Sequence, residues 1–188
     1  MPRIIGLSGS LRHGSFNSML LRAAVEAAPV GTTIEVATIR GIPLYDGDLE
    51  AESGLPETVT RLKEQIAGSD GLLLVTPEYN NSMPGVLKNA IDWLTRPPSD
   101  IPRIFGGRPV GIMGATPGPG GTILSQAAWL PVLRTLGTLP WFGGRVLVSN
   151  AGQVFDAEAK LRDPVVLGQV QKFVTGFAKF VERFRPSR

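Results

Sequence analysis

The 188-residue chain has no cysteine and a single histidine, His13. The first absence removes disulfides, thiolate nucleophiles and cysteine-ligated metals together, so any redox chemistry has to be carried by a bound cofactor. The second leaves little basis for histidine catalysis, because His13 stands in a loop with no carboxylate or nucleophile partner indicated by the sequence. No apolar run reaches membrane-spanning length. The N-terminus enters a strand soon after Met1, without the charged and then apolar layout of a targeting segment, so the expectation is a cytoplasmic protein with no membrane partner. Also missing is any block of Lys and Arg interleaved with aromatics. With 19 basic against 16 acidic residues and a net charge of +3, the pI of about 9.6 bears on solubility and argues against a nucleic-acid partner.

What is present suffices for one globular domain over residues 1–188: 43% of residues are hydrophobic and 19% charged, enough to bury a core without crosslinks or metal. No repeat, low-complexity tract or linker interrupts it. Apolar β-rich runs predict strands at Arg3–Ser8, Thr33–Thr38, Gly71–Thr76, Val110–Gly114 and Val146–Asn150. Most lack in/out alternation, as parallel strands covered on both faces do. Helices are predicted from Asn17 to Ala28, Glu57 to Ala67, Pro84 to Leu94, Gly121 to Leu136 and Val165 to Phe184. This alternation makes an α/β, doubly wound parallel sheet, whose ligands bind beyond the carboxyl ends of the strands. Helix 121–136 is apolar around most of its circumference. It should therefore be buried on more than one side, against its sheet and a possible second subunit, with Pro131 kinking or interrupting it.

Three loops that follow strands stand out: Gly9–Asn17, Pro77–Met83 and Ala115–Gly121. In the first, Gly9 and Gly14 have Walker A spacing, but Ser15 stands where that motif needs its lysine, and Gly6–Ser10 lacks the glycines of a pyrophosphate fingerprint. Hydroxyls, Arg12 and Asn17 at a helix start suit one compact anion, such as a terminal phosphomonoester. The competing reading is an ordinary turn capped by Ser15 or Asn17, with Arg12 solvated. In the second loop Ser82 and Pro84 explain themselves as helix-start residues. The crowding of Glu78, Tyr79 and Asn80 at the strand end does not, and suggests contact with a flat heterocycle. Glu78 and Tyr79 as an acid–base pair would need tuning partners that the sequence does not offer.

Gly9-Ser10-Leu11-Arg12-x-x-Ser15-x-Asn17, then Thr76-Pro77-Glu78-Tyr79-Asn80, then Ser82-x-Pro84-Gly85-x-Leu87-Lys88-Asn89-Ala90-Ile91-Asp92-Trp93 resemble the NADPH-dependent FMN reductase family, which includes quinone, chromate and azo-dye reductases. The resemblance covers nearly the whole chain. It implies a flavodoxin-like three-layer sandwich with a five-stranded parallel sheet in the order 2-1-3-4-5, bound FMN, NAD(P)H as co-substrate, and a homodimer or homotetramer. By position it assigns Ser10, Arg12, Ser15, Phe16 and Asn17 to the FMN phosphate, and Pro77, Glu78, Tyr79 and Asn80 to the isoalloxazine. Ser82, Gly85 and Lys88 would shape the loop and the subunit contact, while Asp92 and Trp93 would be structural. In the third loop the family segment Ser-x-Gly-x-x-Gly-Gly is one residue shorter between its glycines and begins with Thr116, with Gly118 and Gly120 offering backbone to the flavin.

The activity this implies is electron transfer from reduced nicotinamide through FMN to a quinone, free flavin, chromate or similar small acceptor. It would be ping-pong, with no catalytic side chain and no metal. The alternatives are an electron-transfer flavodoxin reduced by a protein partner, a class that tends to be acidic and to lack arginine in its phosphate loop, and a flavin-sensing protein without turnover.

Overall fold

A computed structural model describes residues 1–185. Strands β1 (Arg3–Ser8), β2 (Thr33–Ala37), β3 (Gly71–Val75) and β4 (Pro109–Ala115) form the centre of a parallel sheet in the order β2-β1-β3-β4. Ile5 pairs with Leu72 and Leu74 with Ile112, so the carboxyl ends of β1, β3 and β4 lie level. β3 is buried along its whole length, as the lack of alternation predicts.

Helices α1 (Phe16–Glu26) and α7 (Pro164–Phe184) cover one face, with Leu20, Leu21, Phe173 and Phe177 in the core. Close approach is made possible by glycine: a Cβ on Gly6 would lie 2.5 Å from Leu21 Cδ1, and one on Gly71 2.8 Å from Val181 Cγ2. The other face carries α3 (Glu57–Ala67), α4 (Gly85–Leu94), the short α5 (Ile101–Ile104) and α6 (Ile123–Thr135) around Leu62, Ile91, Ile104 and Trp129. A further helix, α2 (Gly47–Ser53), has no buried residue, which is why no apolar period announced it.

The expected sheet order holds, with one correction at its end. The single strand expected at Val146–Asn150 is two short pieces, β5 (Leu139–Pro140) beside Pro109–Val110 and β6 (Leu147–Val148) beside Gly114–Ala115. Between them Trp141 packs against Phe173 while its backbone N–H still donates to Val110 O at 2.8 Å, and a Cβ on Gly143 would lie 2.6 Å from Trp141 Nε1. A second correction concerns α6, which Pro131 does not interrupt. Within this chain only one of its sides is covered: Ser125, Trp129 and Leu133 are buried, while Ile123, Leu124 and Leu130 are exposed.

The long connection from α4 to β4 is held by charge. Lys63 is 2% exposed, and its Nζ lies 2.7 Å from Asp100 Oδ2 and also donates to Arg96 O. Arg103 binds Asp100 at 2.8 Å and Glu64 at 2.9 Å. Hydrogen bonds from Arg103 and then Lys63 hold the Asp100 carboxyl far below the usual carboxylate range. Its protonation in the unfolded chain therefore costs stability as pH falls below about 4 and on toward its folded pKa. At neutral pH we expect Asp100→Asn to destabilise by about 3–5 kcal/mol, because Lys63 is left buried without its counter-charge. Chemical denaturation at a series of pH values should show that difference shrinking below about pH 4; a difference independent of pH would contradict this reading.

Candidate functional site

The three loops singled out in the sequence meet at the carboxyl ends of β1, β3 and β4. In the first, Ser15 is the N-cap of α1, its Oγ accepting from Asn17 N at 3.2 Å and Ser18 N at 3.4 Å. The Asn17 side chain is turned inward and 3% exposed: Nδ2 donates to Ala115 O at 2.8 Å, and Oδ1 accepts from Ala115 N at 2.9 Å. Its amide thus joins the start of α1 to the end of β4, and both its polar atoms are committed there. Ser10 and Arg12 remain at the surface. The Arg12 guanidinium sits 5.4 Å from the Phe16 ring, which stacks in turn on Phe155. The N–H groups of Ser15 and Phe16 have no acceptor among the described residues, as expected of a helix start that faces a ligand.

The second loop presses against the first. Gly9 N donates to Val75 O at 2.8 Å, and a Cβ on Gly9 would lie 2.9 Å from both Pro77 Cδ and Leu87 Cδ2. Pro77 is buried. Tyr79 and Ser82 exchange two backbone hydrogen bonds of 3.0 Å around Asn80 and Asn81, whose φ of 50° and 61° are the left-handed values of a type I′ turn. Asparagine tolerates that region, so both asparagines have a backbone reason to be here. The turn leaves Tyr79 48% exposed, and the N–H groups of Glu78 and Asn80 have no acceptor among the described residues.

The Glu78 carboxylate points away from this surface. Its Oε2 accepts from Leu124 N at 2.9 Å and Ser125 N at 3.0 Å, capping α6 from 46 residues away. Thr122, the residue at the start of that helix, supplies no such bond. Beneath it Ser125 Oγ donates to Pro77 O at 2.9 Å and lies 2.8 Å from Thr76 Oγ1, which also accepts from Trp129 Nε1 at 3.2 Å. Thr76, Ser125 and Trp129 were not read as site residues in the sequence. A serine in an otherwise apolar helix was the available signal.

The third loop is braced from outside. Thr116 N donates to Val148 O at 2.9 Å, Ala151 N to Thr116 O at 3.0 Å and Asn150 N to Gly118 O at 3.0 Å. A Cβ on Gly114 would lie 2.2 Å from Thr76 O, so glycine is obligatory where β4 passes the second loop. Gly120 faces open space. Of the remaining residues, Lys88 pairs with Asp92 at 2.7 Å and buried Trp93 donates to Pro43 O at 2.9 Å, while Ser82 closes the turn and a Cβ on Gly85 would meet nothing within 4 Å. No group of His, Asp and Glu suited to a metal occurs among the described residues, and no helix there is long and apolar enough to cross a membrane.

The family model described as NADPH-dependent FMN reductase matches residues 2–153. The chain is 43% identical over 183 residues to an NAD(P)H-dependent FMN reductase of Pseudomonas aeruginosa, covering 97% of each. It is 38% identical over 188 residues to a quinone reductase of Escherichia coli, again covering 97% of each. Among solved structures, the flavoenzyme NAD(P)H:(acceptor) oxidoreductase FerB of Paracoccus denitrificans superposes with a TM-score of 0.88 at 32% identity, over 99% of this chain and 100% of that one.

The two side-chain braces carry a stability prediction. Asn17→Ala strands a buried N–H and C=O of Ala115 and should cost about 2–4 kcal/mol. Glu78→Ala removes a helix cap and should cost about 1–2 kcal/mol, or roughly 2–8 °C in melting temperature. Thermal unfolding of the flavin-free variants tests both. An Asn17→Ala protein as stable as the parent would show that the pair is not holding the loops.

Proposed function

The chain belongs to the NADPH-dependent FMN reductase family, and on that premise we propose that it oxidises NADH or NADPH and reduces small acceptors of the quinone type on an FMN held by the three loops. What supports this reading is the set of backbone N–H groups without acceptors among the described residues, at Ser15 and Phe16 on one side and at Glu78 and Asn80 on the other, all in loops at one end of the sheet. The donor chemistry fits the cofactor. Ser10, Arg12, Ser15 and the start of α1 suit its phosphate. Pro77, Tyr79, Asn80 and the backbone of Glu78 suit its ring, with Thr116, Gly118 and Gly120 approaching from the other loop. Asn17 would act through its brace on Ala115.

Bound FMN supplies the capacity to take two electrons from reduced nicotinamide and pass them on. The chain's part is to hold the ring, keep one side open beside Tyr79 and Gly120, and surround it with N–H donors that favour negative charge. No side chain here is poised as an acid or base, since the Glu78 carboxylate is committed to α6. Donor and acceptor would use the open side in turn, which gives ping-pong kinetics, and such a site would accept free flavin and chromate as well as quinones. Ile123, Leu130 and Phe142, all exposed, offer an apolar strip for a second copy of the chain in a homodimer or homotetramer.

Purified protein should be yellow or take up FMN, and its flavin should bleach on anaerobic addition of NADH or NADPH and recover on addition of a benzoquinone. Flavin that is bound but not reduced by either nicotinamide would favour the electron-transfer or sensing alternatives. Arg12→Ala should weaken FMN binding by about 1.5–3 kcal/mol, measured by fluorescence quenching on titration of the flavin-free protein; unchanged affinity would remove Arg12 from the phosphate site.

A further inference from the structure

A second cationic groove lies on the other flank of the first loop. It opens between the N-terminal half of α1 and the edge strand β2, encloses about 460 Å³, and is lined by Arg12, His13, Ser18, Arg22, Thr38 and Arg40. Beside Arg12, which would serve the flavin phosphate, it gathers two further guanidiniums, Arg22 from α1 and Arg40 from the chain just beyond β2. Neither Arg22 nor Arg40 pairs with a carboxylate among the described residues. Arg40 is fixed in place by donating from Nη2 to Leu11 O at 2.5 Å, which ties the end of β2 to the first loop. Two like charges facing one groove without a counter-charge repel one another, and a multiply charged anion relieves that repulsion.

We propose that this groove receives the 2′-phosphate at the adenosine end of NADPH, and that Arg22 and Arg40 make the protein prefer NADPH to NADH. This rests on the reading of the chain as a nicotinamide-oxidising flavoprotein. The chemistry supports it: at an adenosine site an acid pairs with the 2′-hydroxyl of NADH, whereas an arginine accommodates the 2′-phosphate of NADPH. Here Val36-Ala37-Thr38-Ile39-Arg40 contains no acid and ends on arginine. A phosphomonoester dianion also suits forked guanidinium donors flanked by the Ser18 and Thr38 hydroxyls. The groove shares Ser10 and Arg12 with the first loop, so a nucleotide lying across that loop would have one end at the three-loop junction and the other in the groove.

The test uses FMN-loaded protein, with adenosine 2′,5′-bisphosphate and 5′-AMP as calorimetric probes. The bisphosphate should bind at least about tenfold more tightly, the scale of one charge-assisted hydrogen bond. Arg22→Ala, and Arg40→Gln, which keeps a donor for Leu11 O, should each remove most of that preference. They should raise KM for NADPH by about tenfold while leaving FMN content and KM for NADH unchanged. Equal binding of the two probes, or a preference that survives both substitutions, would overturn the assignment. So would loss of FMN from either variant, since the groove would then belong to the flavin phosphate. Selective bisphosphate binding by a protein that oxidises neither nicotinamide would instead defeat the enzymatic reading and leave the anion assignment standing.

Discussion

Asn17 exchanges two hydrogen bonds with the peptide of Ala115, and through that pair the start of α1 is fixed to the end of β4. In the sheet β3 and its loop lie between β1, which leads into α1, and β4, so the brace spans the position a ligand would straddle. Both backbone groups of Ala115 are buried at a strand end where no ladder partner reaches them, and the amide of asparagine, with one donor and one acceptor, satisfies them together. Aspartate could meet only the N–H. A single buried side chain thus ties the phosphate-type loop to the third loop.

The same division of labour recurs at the second loop. Glu78 caps α6, Ser125 and Thr76 share a hydroxyl pair, and Trp129 closes the network from below. Several of the polar side chains that looked functional are committed to scaffold, whereas the backbone N–H groups of Ser15, Phe16, Glu78 and Asn80 have no acceptor among the described residues. Fixed N–H dipoles of this kind recognise a phosphate or a polarised heterocycle without reorganising, which is what a protein that leaves its chemistry to a cofactor has to provide. The charged network of Lys63, Asp100, Arg103 and Glu64 secures the connection that delivers the chain into β4.

Much of this was legible in the sequence where local signals are strong. β1, β3 and β4 are continuous apolar runs, and α3 has a clear amphipathic period; each lies where expected, within a residue or two at its ends. The fifth strand was misplaced because Pro140 and the Gly143-Gly144 pair split it into two pieces of two residues, too short to leave a pattern. The exposed, polar α2 left none either. The three loops were recognisable from their glycines, prolines and clustered polar residues. The roles of Asn17 and Glu78 were not, since their partners lie 98 and 46 residues away and neither partner is a side chain.

The side-chain braces of Asn17 and Glu78 should hold the three loops together independently of the flavin. Native-state hydrogen exchange on the flavin-free protein measures this directly at the amides of Ala115, Leu124 and Ser125, which donate to Asn17 and Glu78. The account predicts protection at these amides close to that of the β3 core, changing little when FMN is added. Fast exchange in the flavin-free protein that becomes slow only with FMN would contradict it, because the cofactor and not the side-chain braces would then be assembling the site.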